Sequence, residues 1–206
     1  MTARESHLVE LVDVSGISAG SASVFDAHQA PGMLHRAFSV FLRDPATGRV
    51  LLQQRAAVKT RFPLLWANTC CGHPAPGEDV AVAAGRRLAE ELGIVGASLT
   101  PVGVYTYRAA DPGSGRVEHE YDHVLLGDLP AGVRVAPEPA EVAGVRWVSM
   151  PALQAGLAAD PGSYAPWLSG VTGRLASYLD RPRVPRPSAG TPWQSHDEAP
   201  ERSGGG

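Results

Sequence analysis

The sequence predicts an α/β (α+β) fold in which a mixed β-sheet is sandwiched between helices. Three observations predict it. Strand-like runs recur through the first 150 residues, one long helical pattern interrupts them at residues 79–92, and two more helical patterns follow the last strand. Hydrophobic residues make up 44% of the 206 and charged residues 19%. That composition supports a sizeable core and argues against wholesale disorder. The length fits one domain with an appendage, or two small domains at most.

Taken in order, residues 7–14, "HLVELVDV", read as a strand followed by a Ser/Gly-rich turn. Residues 35–43 alternate bulky and polar side chains, "DPATG" makes a turn, and "RVLLQQR" returns, so 36–55 reads as a hairpin. Residues 59–65 form a loop carrying Lys59, Arg61 and Pro63. Residues 66–71 look like a short strand that enters the loop "GHPAPGE". Residues 79–92 lack proline and carry apolar residues at helical spacing, with Asp79 placed to cap the start and Gly93 to end the helix. Residues 100–107, 117–126 and 143–149 are further strands. Residues 150–158 and 163–179 read as helices, with Pro166 in the first turn of the second. Beyond Asp180 the chain is rich in Pro, Ser and Gly, so one domain over 1–180 and a disordered tail over 181–206 are expected.

A net charge of -3 argues against nucleic-acid binding, which requires a basic surface. No apolar run approaches the ~20 residues that span a bilayer, and the first ten residues lack an apolar signal core. No membrane association and a cytoplasmic location are expected. The two cysteines, Cys70 and Cys71, are adjacent. A bond between them would be a strained ring, and a structural zinc site needs paired Cys-x-x-Cys or His partners. A free thiol in a reducing compartment is expected.

The stretch from Gly72 to Ile94 carries the first chemical signal. Glu78 follows Gly72 after five residues, and "RRLAEELGI" follows Glu78 after seven more. This resembles the Nudix box, with eight of nine defining places met by Gly72, Glu78, Arg86, Leu88, Glu90, Glu91, Gly93 and Ile94. A loop feeding a helix N-terminus presents backbone N–H groups to phosphate, and carboxylates on the helix suit Mg²⁺. The departure is Arg87, which stands where the pattern has a glutamate. Arginine neither binds a metal nor accepts a proton, but its guanidinium grips a diphosphate well. A diphosphate-binding frame with a damaged water-activating part is expected.

The remaining features complete a set. His28, His35 and His73, with Glu118 and Glu120 on one strand face, suit a divalent ion of high coordination number. His119 and His123 belong to the opposite face. "HRAFSVFL", "W-x-N-x-x-CGHP", the modified box, "YRA-x-DP", "VEHE" and "APW" together resemble type I isopentenyl-diphosphate isomerase from about residue 7 to 180. The resemblance implies a Nudix-type α/β/α sandwich with additional N-terminal strands and C-terminal helices. It implies a small-molecule substrate, isopentenyl diphosphate, converted to dimethylallyl diphosphate by adding and removing a proton. It places Cys71 and Glu120 as the acid/base pair with Tyr107 beside Glu120, and Trp167 facing the developing cation. Arg55, Lys59 and Arg87 would grip the diphosphate, with Arg61 a further helper. Mg²⁺ would join Glu91 to the diphosphate, and a second divalent ion (Mn²⁺, Zn²⁺ or Mg²⁺) would sit among His28, His35, His73, Glu118 and Glu120. Cys70 is assigned to packing and a monomer is expected. The alternatives on the same fold are a pyrophosphohydrolase and a non-catalytic diphosphate sensor.

Overall fold

The computed structural model of the chain describes residues 5–129 and 132–181. Apart from Arg181, the tail expected over 181–206 lies outside the described residues. β1 (Leu8–Val12) and β2 (Ser18–Ser23) pair antiparallel, where the sequence suggests a strand and then only a turn. The Ser, Ala and Gly side chains of β2 carry no apolar alternation, so backbone pairing with β1 alone makes it a strand. Asp13 closes the turn between them by accepting from the N–H groups of Ser15 and Ile17. A single helical turn, α1 (Val24–Ala27), follows, capped by the Ser23 side chain.

The hairpin expected over 36–55 exists only at its root. Between β3 (His35–Arg43) and β4 (Val50–Arg55) the registered pair is Arg43 with Val50. Beyond it the strands diverge, and β5 (Trp66–Ala67) and β6 (Cys70–Gly72) enter between them, β5 on β4 and β6 on β3. The single strand expected over 66–71 is therefore two, divided at Asn68 and Thr69. Thr69 Oγ1 accepts from Leu42 N–H at 2.8 Å and donates to the Leu51 carbonyl at 2.6 Å. Asn68 Nδ2 donates to the Val40 and Cys70 carbonyls. These side chains satisfy the buried backbone groups that the crossover leaves without a ladder.

α2 (Val80–Leu92) has the expected caps. The Asp79 carboxylate accepts from the N–H groups of Ala81 and Val82, and Gly93 takes the left-handed conformation at φ 66. β7 (Leu99–Ala110) and β8 (Val117–Asp128) form a long antiparallel pair, and β8 runs parallel to β3. β9 (Val142–Val148) pairs antiparallel with β4, so the sheet is mixed as expected. α3 (Met150–Ala159) and α4 (Leu168–Leu179) follow. α4 starts five residues later than its sequence pattern suggests. Pro166 disfavours helical backbone at Ala165, whose N–H instead donates to the Trp66 carbonyl at 2.8 Å.

Side chains alternate across the central strands and feed two cores. Phe38, Val40, Leu42 and Leu51 pack against Ala83, Ala84, Leu88 and Leu92 of α2. Phe41, Leu52, Val124 and Leu126 pack against Leu168, Val171 and Leu175 of α4 on the opposite face. The α/β/α sandwich follows from this two-sided burial. No helix among the described residues is long and apolar enough to cross a membrane.

Candidate active site

A cavity of about 1200 Å³ opens where the N-terminal strand pair, the loop after β4, the loop before α2 and residues 86–90 of α2 converge. Strand register assembles its deepest part. Glu120 on β8 lies between His35 of the parallel neighbour β3 and Tyr107 of the antiparallel neighbour β7, each in direct register with it. Tyr107 Oη donates to Glu120 Oε2 at 2.7 Å, and His73 Nε2 lies 2.9 Å from Glu120 Oε1. Glu118, two residues earlier, points to the same face and places Oε2 2.8 Å from His28 Nε2.

The histidines are presented by backbone. Nδ1 of His28 lies 2.6 Å from the Val24 carbonyl, and Nδ1 of His35 lies 2.8 Å from the Met33 carbonyl. A carbonyl only accepts, so each Nδ1 carries the proton and donates it. In a neutral ring Nε2 is then left as a lone-pair donor. One ligand atom from each of His28, His35, His73, Glu118 and Glu120 lies within 4.8 Å of all the others. His35 Nε2 is buried without a hydrogen-bond partner among the described residues, 3.8 Å from Glu120 Oε1. Three imidazoles, two carboxylates and an orphaned nitrogen fit a divalent cation, and this constellation together with the Nudix fold supports divalent metal binding.

Burial sets the protonation of the cluster. It lowers His73 to about 3, with the neighbouring charge of His28 acting in the same sense, and it holds His35 well below the ordinary range. Both rings are therefore neutral and able to ligate. Burial opposes the His28 imidazolium too, but the Glu118 carboxylate beside it prevails and raises its pKa. His28 and Arg61 overcome burial at Glu118 and keep it ionised. Burial and the charge of Glu118 push Glu120 well above the ordinary carboxyl range.

Cys70 and Cys71 are both free. Cys70 is fully buried in the α2-side core, whereas Cys71 packs toward the other face and lines the cavity. Burial raises the Cys71 thiol to about 12, opposed by Arg55, whose guanidinium lies 3.7 Å from Sγ. Trp167 closes the same end. Its Nε1 donates to Asn68 Oδ1 at 3.0 Å, and its ring meets Phe62 edge-on and Tyr107 at a tilt. A Cβ at Gly72 would meet Phe38 tightly at 3.0 Å and Arg87 in ordinary contact at 3.5 Å.

The basic residues line the same cavity, each tied to carboxylates or carbonyls. Lys59 pairs with Glu141, and Arg87 pairs with Glu90, Glu91 and Glu141. Glu91 itself is 1% exposed and lies behind Arg87, also accepting from Gln53 Nε2 at 3.1 Å. Arg55 spends two donors on the carbonyls of Arg61 and Phe62. His119 and His123 stand apart from the cluster as expected, the first at the Gly32 carbonyl and the second at Arg36. Sequence reasoning missed Glu5 and Glu141, which balance Arg61 and Lys59. Neither lies in a recognisable pattern, and each finds its partner across more than fifty residues.

A phosphate-suited loop entering a carboxylate-bearing helix, on a mixed sheet covered on both faces, defines the Nudix class. A family model described as NUDIX domain matches residues 33–168. A solved structure from Deinococcus radiodurans shares the fold with a TM-score of 0.64 at 20% identity, covering 82% of this chain and 98% of that one. A Nocardia farcinica protein named isopentenyl-diphosphate Delta-isomerase is 65% identical over 163 residues, covering 79% of this chain and 91% of its own. A Streptomyces coelicolor protein of the same name is 52% identical over 145 residues, covering 70% and 72%. The chain belongs to the isopentenyl-diphosphate Delta-isomerase family of the Nudix superfamily.

Proposed function

We propose that this chain interconverts isopentenyl diphosphate and dimethylallyl diphosphate, a step in isoprenoid biosynthesis. The observation that carries the reading is one part of the cavity lined by Cys71, Glu120, Tyr107 and Trp167 together. Moving the double bond requires a proton added at the terminal alkene carbon and another removed from the methylene beyond it. The bond between the first two carbons becomes single, and the electrons of the broken C–H bond form the new double bond. An alkene is a very weak base, so the donor must act without competing water. Glu120 and Cys71 are the two groups that deliver and accept the protons. Tyr107 holds the Glu120 carboxyl by its hydrogen bond, and Arg55 is placed to stabilise Cys71 as thiolate. The Trp167 ring supplies a π face to the tertiary cationic state, worth about 0.5–2 kcal/mol.

The diphosphate is gripped by Arg55, Lys59 and Arg87; Arg61, expected as a further helper, is instead engaged by Glu118 and Glu5. A divalent ion held by the His/Glu cluster would make Glu120 a stronger acid, and one held with the diphosphate would neutralise part of its charge. We assign His28, His35, His73, Glu118 and Glu120 to a Mn²⁺, Zn²⁺ or Mg²⁺ ion, and Glu91 to Mg²⁺ shared with the diphosphate. A monomer and a cytoplasmic setting complete the reading, the second supported by the two free thiols.

The test is direct. Purified protein incubated with isopentenyl diphosphate and Mg²⁺ should yield an acid-labile allylic product. Cys71→Ala and Glu120→Gln should each lower turnover by about 10²- to 10⁴-fold or more with unchanged circular dichroism. Phosphate release without that product would establish a pyrophosphohydrolase instead. Near-normal turnover in either variant removes that residue from the acid/base pair.

A further inference from the structure

The loop between β4 and β5 holds two non-glycine residues in left-handed backbone, Phe62 at φ 46 and Leu64 at φ 63. Such conformations are strained and persist where the surroundings over-determine them. Arg55 does so here. Its Nε donates to the Phe62 carbonyl at 3.0 Å and its second terminal nitrogen to the Arg61 carbonyl at 2.8 Å. Asp111 accepts from the Phe62 N–H at 3.2 Å. The residue that this backbone aims is Arg61.

The Arg61 guanidinium bridges two carboxylates. Nε donates to Glu118 Oε1 at 2.9 Å, and one terminal nitrogen donates to Glu5 Oε1 at 2.9 Å. Side-chain exposure is 11%, 6% and 8% for Arg61, Glu118 and Glu5, so water screens these contacts little. Glu118 Oε2 meanwhile faces His28. Arg61 therefore holds one oxygen of Glu118 and leaves the other turned into the histidine cluster. We propose that Arg61, held by Glu5, is a positioning residue for the metal centre: it pins Glu118 as a one-oxygen ligand and raises the affinity of the site for a divalent ion. This rests on the reading that the His/Glu cluster holds a metal, and not on the isomerisation itself.

Two effects compete, and Glu5 decides between them. A carboxylate torsion is broad and roughly two-fold, so ordering it in advance spares that cost when the ion arrives. A bare guanidinium beside the site would repel the ion. Glu5 cancels that charge while fixing the fork, which leaves the positioning effect. Lysine does not substitute, because one ammonium lacks the planar fork that meets both carboxylates.

The test titrates metal-stripped full-length protein with Mn²⁺ and follows free Mn²⁺ by electron paramagnetic resonance. Arg61→Met keeps an apolar stem for packing and should weaken binding by about 10- to 100-fold. Arg61→Lys should fall between it and the parent, and Glu5→Gln should weaken binding by a smaller factor. Circular dichroism of the metal-free proteins checks folding. Mn²⁺ affinity in Arg61→Met within about threefold of the parent, or tighter, overturns the proposal. If that variant does not fold, Arg61→Lys decides by the same threshold. A parent protein that binds no Mn²⁺ refutes both the metal reading and this proposal. A parent that binds Mn²⁺ but does not turn over isopentenyl diphosphate refutes only the isomerase reading.

Discussion

Cys71 shows how far one residue's chemistry depends on its surroundings. Adjacent cysteines suggest a pair, yet alternation along β6 sends Cys70 into the α2-side core and Cys71 into the cavity. Burial is the main reason that the Cys71 thiol is raised to about 12, with Arg55 opposing and Glu91 and Glu120 adding to the rise. Only the thiolate is alkylated, so the rate must follow its fraction. Iodoacetamide modification of Cys71 should be slow at pH 7 and rise about tenfold per pH unit through pH 10 without levelling. Cys70 is fully buried with its pKa pushed well above the usual range, and it should stay unmodified in the folded protein. Fragment-ion mass spectrometry distinguishes the two sites. A plateau near pH 8.5 at Cys71 would show an ordinary solvated thiol and remove the buried acid. His35, His73, Glu118 and Glu120 were legible because each lies in a short local motif, whereas His28 lies in none and was read only as a member of the set. Glu5 and Glu141 were not legible, because a lone glutamate acquires meaning only from the cation that folding brings to it.

Elements were legible where local signals suffice. α2 is marked by its caps and apolar period, and its observed bounds are Val80–Leu92, within one residue of expectation. Its N-terminus depends on Asp79, whose carboxylate satisfies two N–H groups that no helical carbonyl reaches. Asp79→Ala should cost about 1 kcal/mol, read as a lower urea midpoint with an unchanged slope. An unchanged midpoint would mean that water replaces the cap without loss. The misread elements share a different cause. β2 has no apolar alternation to read, and the β5–β6 break is dictated by Asn68 and Thr69 bonding to β3 and β4, far along the chain. The late start of α4 carried a local warning in Pro166, which restricts the preceding residue more strongly than a first-turn proline disturbs a helix. Hairpin chemistry in "DPATG" correctly marks the turn after β3. It carries no information on how far the two strands stay paired, which is decided by β6 taking the edge of β3 that β4 leaves beyond Arg43.

Across the whole molecule, the His/Glu cluster joins residues that lie far apart in the sequence and that strand pairing brings together. His28 follows α1, His35 begins β3, His73 follows β6, and Glu118 and Glu120 sit in β8. The unfolded chain scatters these groups over more than ninety residues, so an ion that binds the folded site has little to gain from the unfolded state. Binding then stabilises folding by linkage, about 2.7 kcal/mol at a free-ion concentration one hundred times the dissociation constant. For a chain of this size that corresponds to a rise of roughly 5–10 °C in melting temperature. The rise should appear when metal-stripped protein is melted with Mn²⁺, and it should be absent with the same ionic strength of NaCl, which screens charge without occupying the site. His73→Ala removes one ligand from a position that is partly open to the cavity, so the apo fold should persist while most of the Mn²⁺ shift disappears. Differential scanning calorimetry of parent and variant reads both effects. Equal melting temperatures for the stripped parent with and without saturating Mn²⁺ would mean that the five side chains gather without holding an ion in common, and that their convergence serves only to bury and pair charge.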